Sequence, residues 1–342
     1  MTLGDLGEKA FLAALLPSLK KDSNFINGFG HDASVLDIGL DVDIAMKIDR
    51  APFPVAVLRG VGDYDIWGKL AVVANVSDLL ASGAVPKALM LSMVLPREFS
   101  EKSARDIVFG CEAACRSHGI AFLGGDTKEG LTAQIVAAAF GTVAKHRSIN
   151  RAKAAPGDSL FVAGHIGGFS AALTLLSDAR LSTENFSRCA DVLRNPFACI
   201  KEAGLLRESG LVATACDLSD GLFDALEVFC DSEVGILIDG SALPLHPLTL
   251  LASDFKNVHP WKFAFGVGDW AIAFVVKREN VDELKKLANP FCAFAEIGKF
   301  DKSGIRSLIW KEKKYPVPKI VNEQFVRRIE DDGDYLSKLL AG

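Results

Sequence analysis

The sequence predicts an α/β (α+β) protein of two domains, and three observations carry that prediction. The chain has 342 residues, and at about 150 residues per domain that length suggests two units. Apolar, strand-length runs alternate with segments of helical period in both halves. Between the halves a basic stretch over residues 144–158 breaks at Pro156-Gly157-Asp158, which places the domains at 1–150 and 151–342. With 49% hydrophobic and 24% charged residues, the composition is that of a globular protein and excludes disorder as a global state.

The elements follow in order. Residues 7–19 repeat apolar side chains at helical spacing (Phe11, Leu12, Leu15, Leu16, Leu19), and 24–30 form a polar, glycine-rich loop. Strands are expected over 33–38 and 43–48, then a long apolar helix over 64–82 stopped by Gly83. A buried strand over 87–95 precedes an amphipathic helix over 100–118 opened by a Ser100 cap, with strands at 120–123 and 132–143. In the second half, strand 159–163 meets a glycine turn at 164–168 and a helix at 169–176. Strand 211–216 runs into a helix at 221–230 and strand 235–238; strands at 269–277 and 293–297 flank a helix at 279–287.

Acidic residues outnumber basic ones, 43 to 38, for a net charge of −5. Nucleic acid is therefore not an expected partner, because counterion release needs a basic face. A phosphorylated small molecule is compatible only if a cation accompanies it. Seven cysteines (111, 115, 189, 199, 216, 230 and 292) form no Cys-x-x-Cys pair, which reads as reduced, buried thiols of a cytoplasmic protein. Cys111, Cys115 and His118 fall on one helix face, but zinc prefers four ligands and no fourth is apparent. No secretion signal is expected, and the best apolar run, residues 135–140, is strand length, so no membrane partner is expected either.

The chemistry lies in the placing of aspartates. Asp32, Asp49, Asp78 and Asp126, with the pair Asp217 and Asp220, sit at turns bordering apolar elements or, for Asp78, on an apolar helix. An aspartate beside glycine is ordinary turn and cap chemistry. Asp78 and Asp217 are harder to explain so, because each follows an apolar run where an unpaired carboxylate costs desolvation free energy. Asp217 and Asp220 lie at a strand-to-helix junction whose amides favour phosphate oxygens, and Ser219 can cap that helix. Oxygen-only ligands favour Mg²⁺ over zinc. Carboxylates facing a polyphosphate repel it without metal and clamp it with metal, the arrangement of phosphoryl transfer. The chain has no Walker-type loop; Gly164-His165-Ile166-Gly167-Gly168 is the nearest glycine-rich candidate and reads as a tight turn.

Four motifs in order resemble the thiamine-monophosphate kinase family, within the aminoimidazole ribonucleotide synthetase-like superfamily. They are Asn75-Val76-Ser77-Asp78, Gly124-Gly125-Asp126-Thr127, Arg151 with Pro156-Gly157-Asp158, and Asp217-Leu218-Ser219-Asp220-Gly221-Leu222. The resemblance spans most of the chain. It implies an N-terminal α/β domain whose strands pair in a homodimer, and a C-terminal α/β domain, with ATP and Mg²⁺ in a cleft. It further implies Asp32, Asp49, Asp78, Asp126, Asp217 and Asp220 as metal ligands. Gly125, Asp126, Arg151 and Ser219 would contact ATP, with Arg151 and Asp220 in the catalytic step. The implied reaction is in-line transfer of the γ-phosphoryl of ATP to a phosphate oxygen of thiamine phosphate or of another small phosphorylated cofactor precursor.

The chain also departs from that family. His31 stands where a second aspartate is usual, and Ile48 where a hydroxyl residue precedes the metal aspartate. A substrate-associated histidine falls on Ala56, and a substrate-contacting glutamate falls on Gly268 of Gly266-Val267-Gly268-Asp269-Trp270. This pattern keeps the ATP chemistry and changes the acceptor. The alternatives are ATP-dependent activation of an amide or carbonyl oxygen, and a non-catalytic nucleotide-binding dimer. The hydrogenase-maturation branch is disfavoured by the ending Leu339-Leu340-Ala341-Gly342, and the selenophosphate branch by a first cysteine as late as Cys111.

Overall fold

A computed structural model describes residues 2–287, 294–320, 325 and 332–341. The first half contains helices α1 (Leu3–Leu6) and α2 (Glu8–Leu15), strands β1 (Ser34–Asp37) and β2 (Val42–Arg50), and helices α3 (Val55–Leu58) and α4 (Asp65–Ala81). It continues with β3 (Val85–Leu95), α5 (Glu101–Ser117), β4 (Ala121–Glu129) and β5 (Gln134–Ala144). The second half runs β6 (Ser159–Ala163), α6 (Gly168–Leu176), α7 (Thr183–Arg194), α8 (Ile200–Ser209), β7 (Val212–Asp217), α9 (Leu222–Phe229), β8 (Gly235–Asp239) and α10 (Leu248–Lys256). It ends with β9 (Ile272–Val276), α11 (Val281–Leu287), β10 (Phe294–Asp301), β11 (Arg306–Trp310), β12 (Lys313–Pro316) and α12 (Asp332–Ala341). This is the mixed α/β architecture the sequence predicts.

The first half forms a five-stranded sheet of order β1-β2-β5-β3-β4, antiparallel except for the β3–β4 pair, which the α5 crossover makes parallel. The second half forms a seven-stranded sheet of order β12-β11-β8-β10-β6-β9-β7. Helix α4 packs on β2, β3 and β5 of the first sheet and also touches β7 and α8 of the second half. Only Asp65, Lys69 and Leu70 of its residues escape full burial, which is why its sequence is apolar on every side. It crosses α5 at close range: a Cβ at Gly68 would overlap the Ile107 carbonyl, and one at Gly110 the Asp65 carbonyl. The core that α4 fills also takes in Phe161, Ala215 and Phe274 from β6, β7 and β9, so the two halves share apolar packing.

Several expected elements are corrected. The helix over 7–19 is interrupted, because Gly7 takes φ +79° ahead of α2 and Pro17 enters a 3₁₀ turn at Leu16–Ser18. The short strand at 120–123 extends to Glu129, since β4 stays paired with β3 as far as Leu95 opposite Glu129. Strand 269–277 shortens to β9, and the strand expected at 293–297 is β10, with Ala293 and Cys292 outside the described residues. The Ser100 cap is present, its hydroxyl accepting from the Ser103 N–H at 3.4 Å.

Candidate active site

Helix α4 and strand β7 meet where the halves join, and each presents a carboxylate there. The Ser77 hydroxyl on α4 donates to Asp217 Oδ2 at 3.0 Å, across 140 residues of sequence. Asp78 follows Ser77 on the helix, and Asp32 enters from the loop before β1. All three carboxylates are buried: Asp32, Asp78 and Asp217 are 4%, 5% and 6% exposed. Asp32, Cys216 and Asp217 each offer a ligand atom, and these atoms lie within 4.8 Å of one another.

Two cations meet this acidic group. Arg151 grips Asp32 with both ends of its fork, Nε to Oδ2 at 3.1 Å and Nη2 to Oδ1 at 2.6 Å. The His31 ring accepts the Arg151 backbone N–H at its Nδ1, 3.1 Å away. The residue that departs from the family pattern therefore pins the same arginine from behind. Lys47 on β2 places Nζ 2.7 Å from Asp78 Oδ2 and 3.9 Å from Asp49 Oδ2. Sequence reasoning missed Lys47. The two-residue period of β2 could have found it, because it puts Lys47 with Asp43, Ala45 and Asp49 on the face that α4 covers. Ile48, 69% exposed, points the other way, so the missing hydroxyl at that position lies on the face away from the site.

Burial dominates the electrostatics. It pushes the Asp217 carboxyl up to about 6, with Asp32 and then Asp220 adding repulsion and the Arg151 charge and the Ser219 hydroxyl hydrogen bond opposing. Asp78 is raised well above the carboxylate range by burial and by Asp217, with Lys47 pulling the other way. Burial works against the Lys47 ammonium, but Asp78, with Asp49 and Asp217 adding to it, more than offsets this and leaves its pKa raised. These are carboxylates short of positive charge.

The other expected residues are less gathered. Asp49 lies inside β2 and Asp126 inside β4, not at turns as the sequence suggested; both become strand because the pairing with β5 and β3 runs past them. Asp126 is exposed beside Lys128 at 3.7 Å, and among the described residues no hydrogen bond or ion pair ties it to the buried three. Gly125 has a packing reason of its own, since a Cβ there would overlap the Leu91 carbonyl. Ser219 does not cap α9. Gly221 is the N-cap, without a side-chain bond, and the Ser219 hydroxyl turns to Asp217 instead. Asp220 is exposed in the turn that follows.

Two alternative sites resolve as internal structure. In the turn at 164–168, Asp269 accepts from Gly167 N–H at 2.5 Å and Phe169 N–H at 3.2 Å. The amides that would cradle a phosphate thus hold a carboxylate of the chain itself. His118 has its Nδ1 at 2.7 Å from the Ala114 carbonyl and accepts the Ala198 N–H at Nε2, so neither ring nitrogen is open to a metal shared with Cys111 and Cys115.

Comparison with known proteins places the chain in a family. Residues 30–143 match the AIR synthase related protein, N-terminal domain. The thiamine-monophosphate kinase of Pyrococcus abyssi is 32% identical over 220 residues, covering 64% of this chain and 67% of that protein. The chain belongs to the thiamine-monophosphate kinase family. The family's enzyme from Buchnera aphidicola of Acyrthosiphon pisum is 28% identical over 277 residues, 80% of this chain and 83% of the relative. In fold, the chain resembles the structure of AaThiL complexed with AMPPCP and TMP, with TM-score 0.75, 24% identity and coverage of 92% and 96%.

The two positions at which the resemblance implies altered substrate contacts are filled rather than merely empty. Ala56 is 1% exposed and packs in the core with Val61 and Ile66. Gly268 takes φ +88°, and a Cβ on it would meet the Phe169 ring at 2.7 Å. Among the described residues, no helix is long and apolar enough to cross a membrane.

Proposed function

We propose that this chain is an ATP-dependent phosphotransferase that moves the γ-phosphoryl of ATP onto a phosphate oxygen of thiamine monophosphate, giving thiamine diphosphate and ADP. The observation that carries this reading is the buried trio Asp32, Asp78 and Asp217 at the junction of the halves, with two side-chain cations for three carboxylates. This donor set fits hard divalent ions, and Asp32, Asp49, Asp78, Asp126, Asp217 and Asp220 are the proposed ligands among them. Bound there, Mg²⁺ supplies charge neutralisation for the polyphosphate and a template for in-line transfer.

The chain's own residues do the rest. Arg151, fixed by Asp32 and His31, turns its charge toward the nucleotide, and Gly125, Asp126 and Ser219 complete the nucleotide contacts. Asp220 flanks the transfer. The acceptor is itself a phosphate, anionic at neutral pH, so the site needs no general base, and positioning with electrostatic stabilisation suffices. The proposed domains are 1–150 and 151–342, consistent with a division of the two sheets between Ala144 and Ser159.

A homodimer is supported by the uncovered face of the first sheet. Met46, Ile48, Met90 and Phe140 are all exposed there, with Met46 directly opposite Phe140, and Ile48 and Met90 both opposite Ala138. A contiguous apolar patch of this kind marks an association surface. Six described cysteines are free thiols, in keeping with the reducing cytoplasm.

The test is to incubate the protein with Mg²⁺, ATP and thiamine monophosphate and read the product by mass. Thiamine diphosphate is the expected result; its absence removes the thiamine assignment. A second reading, a different phosphorylated acceptor, is favoured by the filled positions at Ala56 and Gly268, and predicts ADP release on another phosphorylated metabolite instead. Because of Phe169 and the positive φ, Gly268→Glu is expected to lose about 1–3 kcal/mol of stability without raising turnover of thiamine monophosphate. A gain in that turnover at unchanged Tm would show that the glutamate pocket is still open.

A further inference from the structure

Each buried carboxylate of the site has a different partner. Asp32 has the Arg151 fork at 2.6 and 3.1 Å, Asp78 has the Lys47 ammonium at 2.7 Å, and Asp217 has the Ser77 hydroxyl at 3.0 Å. Lys47 is held there by the fold, because β2 turns its side chain under α4 and into the gap between buried Asp78 and half-exposed Asp49. A Mg²⁺ ion bonds carboxylate oxygens at about 2.0–2.1 Å. An ion on Asp78 Oδ2 would therefore share that oxygen with an ammonium already 2.7 Å from it, two cations at contact range in a poorly solvated pocket.

We propose that the Lys47 ammonium is a built-in cation that takes the place of one divalent ion between Asp78 and Asp49, leaving the Asp217 side for exchangeable metal. This rests on the reading that the aspartates hold divalent cations. It gives the site one permanent positive charge that does not depend on free Mg²⁺. Asp217 is the carboxylate left on that side, since its partner is the neutral Ser77 hydroxyl, whereas both oxygens of Asp32 are already held by the Arg151 fork.

The experiment counts Mn²⁺ bound per full-length chain by electron paramagnetic resonance, with and without a non-hydrolysable ATP analogue. Lys47→Met is expected to bind one Mn²⁺ more than the wild type, and Lys47→Arg the wild-type number. Equal counts for Lys47→Met and wild type overturn the proposal. If none of the proteins binds Mn²⁺ even with the nucleotide analogue, the metal reading fails and the role of Lys47 with it. A measurement on the wild type alone covers the case in which Lys47→Met does not fold. Reductive methylation of Lys47, read by peptide mass, is expected to stay at the same low level with and without saturating Mn²⁺. A several-fold rise on adding Mn²⁺ means the ion displaces the ammonium, and overturns the proposal.

Discussion

Asp217→Asn is expected to lower phosphoryl transfer by about 10²–10³-fold, the scale of losing one preorganised electrostatic group in a water-poor site. Asp217 ends β7 fully buried and receives the Ser77 hydroxyl from across the junction. Asparagine keeps the shape and can still accept that hydrogen bond, but it carries no charge for a divalent ion. The same change should not weaken the metal-free fold. Burial raises the Asp217 pKa to about 6, so above that pH the native protein carries a charge that burial disfavours. The metal-free Tm of Asp217→Asn at pH 8 should equal or exceed that of the wild type. Unchanged turnover alongside unchanged Mg²⁺ dependence would exclude Asp217 from the site; lost turnover with a collapsed Tm would mean that its role is structural.

The second large effect is on stability against pH. Asp269 is buried, and burial pushes its carboxyl to about 7, with the amides of Gly167, Phe169 and Gly168 opposing that rise. A group whose pKa is higher in the folded state than in the unfolded chain keeps its proton longer when folded. Its contribution is therefore complete below about pH 4 and is lost as pH rises through about 7. A rise of about three pH units, at 1.36 kcal/mol each, corresponds to about 4 kcal/mol. Without metal, Tm measured from pH 4 to pH 8 should carry this downward contribution, and Asp269→Asn should remove it while preserving an acceptor for the turn at 164–168. A profile that keeps the same slope in the variant would contradict the assignment to Asp269.

Much of the fold was legible because strong periodicity survives translation into one dimension. The helix at 64–82, the strand at 87–95 and the helix at 100–118 appear as α4, β3 and α5 with their ends moved by a residue or two. Two of the elements that the periodicity did not reveal, α7 and α8, bury few apolar residues. Helix α8 buries only Ala203 and Leu206, and α7 only Cys189, Ala190 and Leu193. The run at 124–129 looked like a turn because glycines usually mark one. In the fold, Gly125 instead lets β4 approach the Leu91 carbonyl.

The sequence by itself determined the α/β class, the family and the roster of aspartates, because each depends on residue types and spacing along the chain. Tertiary structure decided which aspartates share a pocket and what neutralises them. Asp32, Asp78 and Asp217 converge because α4 is clamped between the first sheet and β7, a contact between residues far apart in sequence. The same packing brings Arg151 to Asp32 and Lys47 to Asp78, and it walls off Ala56 and Gly268. The physical reason is that desolvation and pairing are properties of a three-dimensional neighbourhood, so the cost of a buried charge, and the cation that offsets it, appear only once the chain has folded.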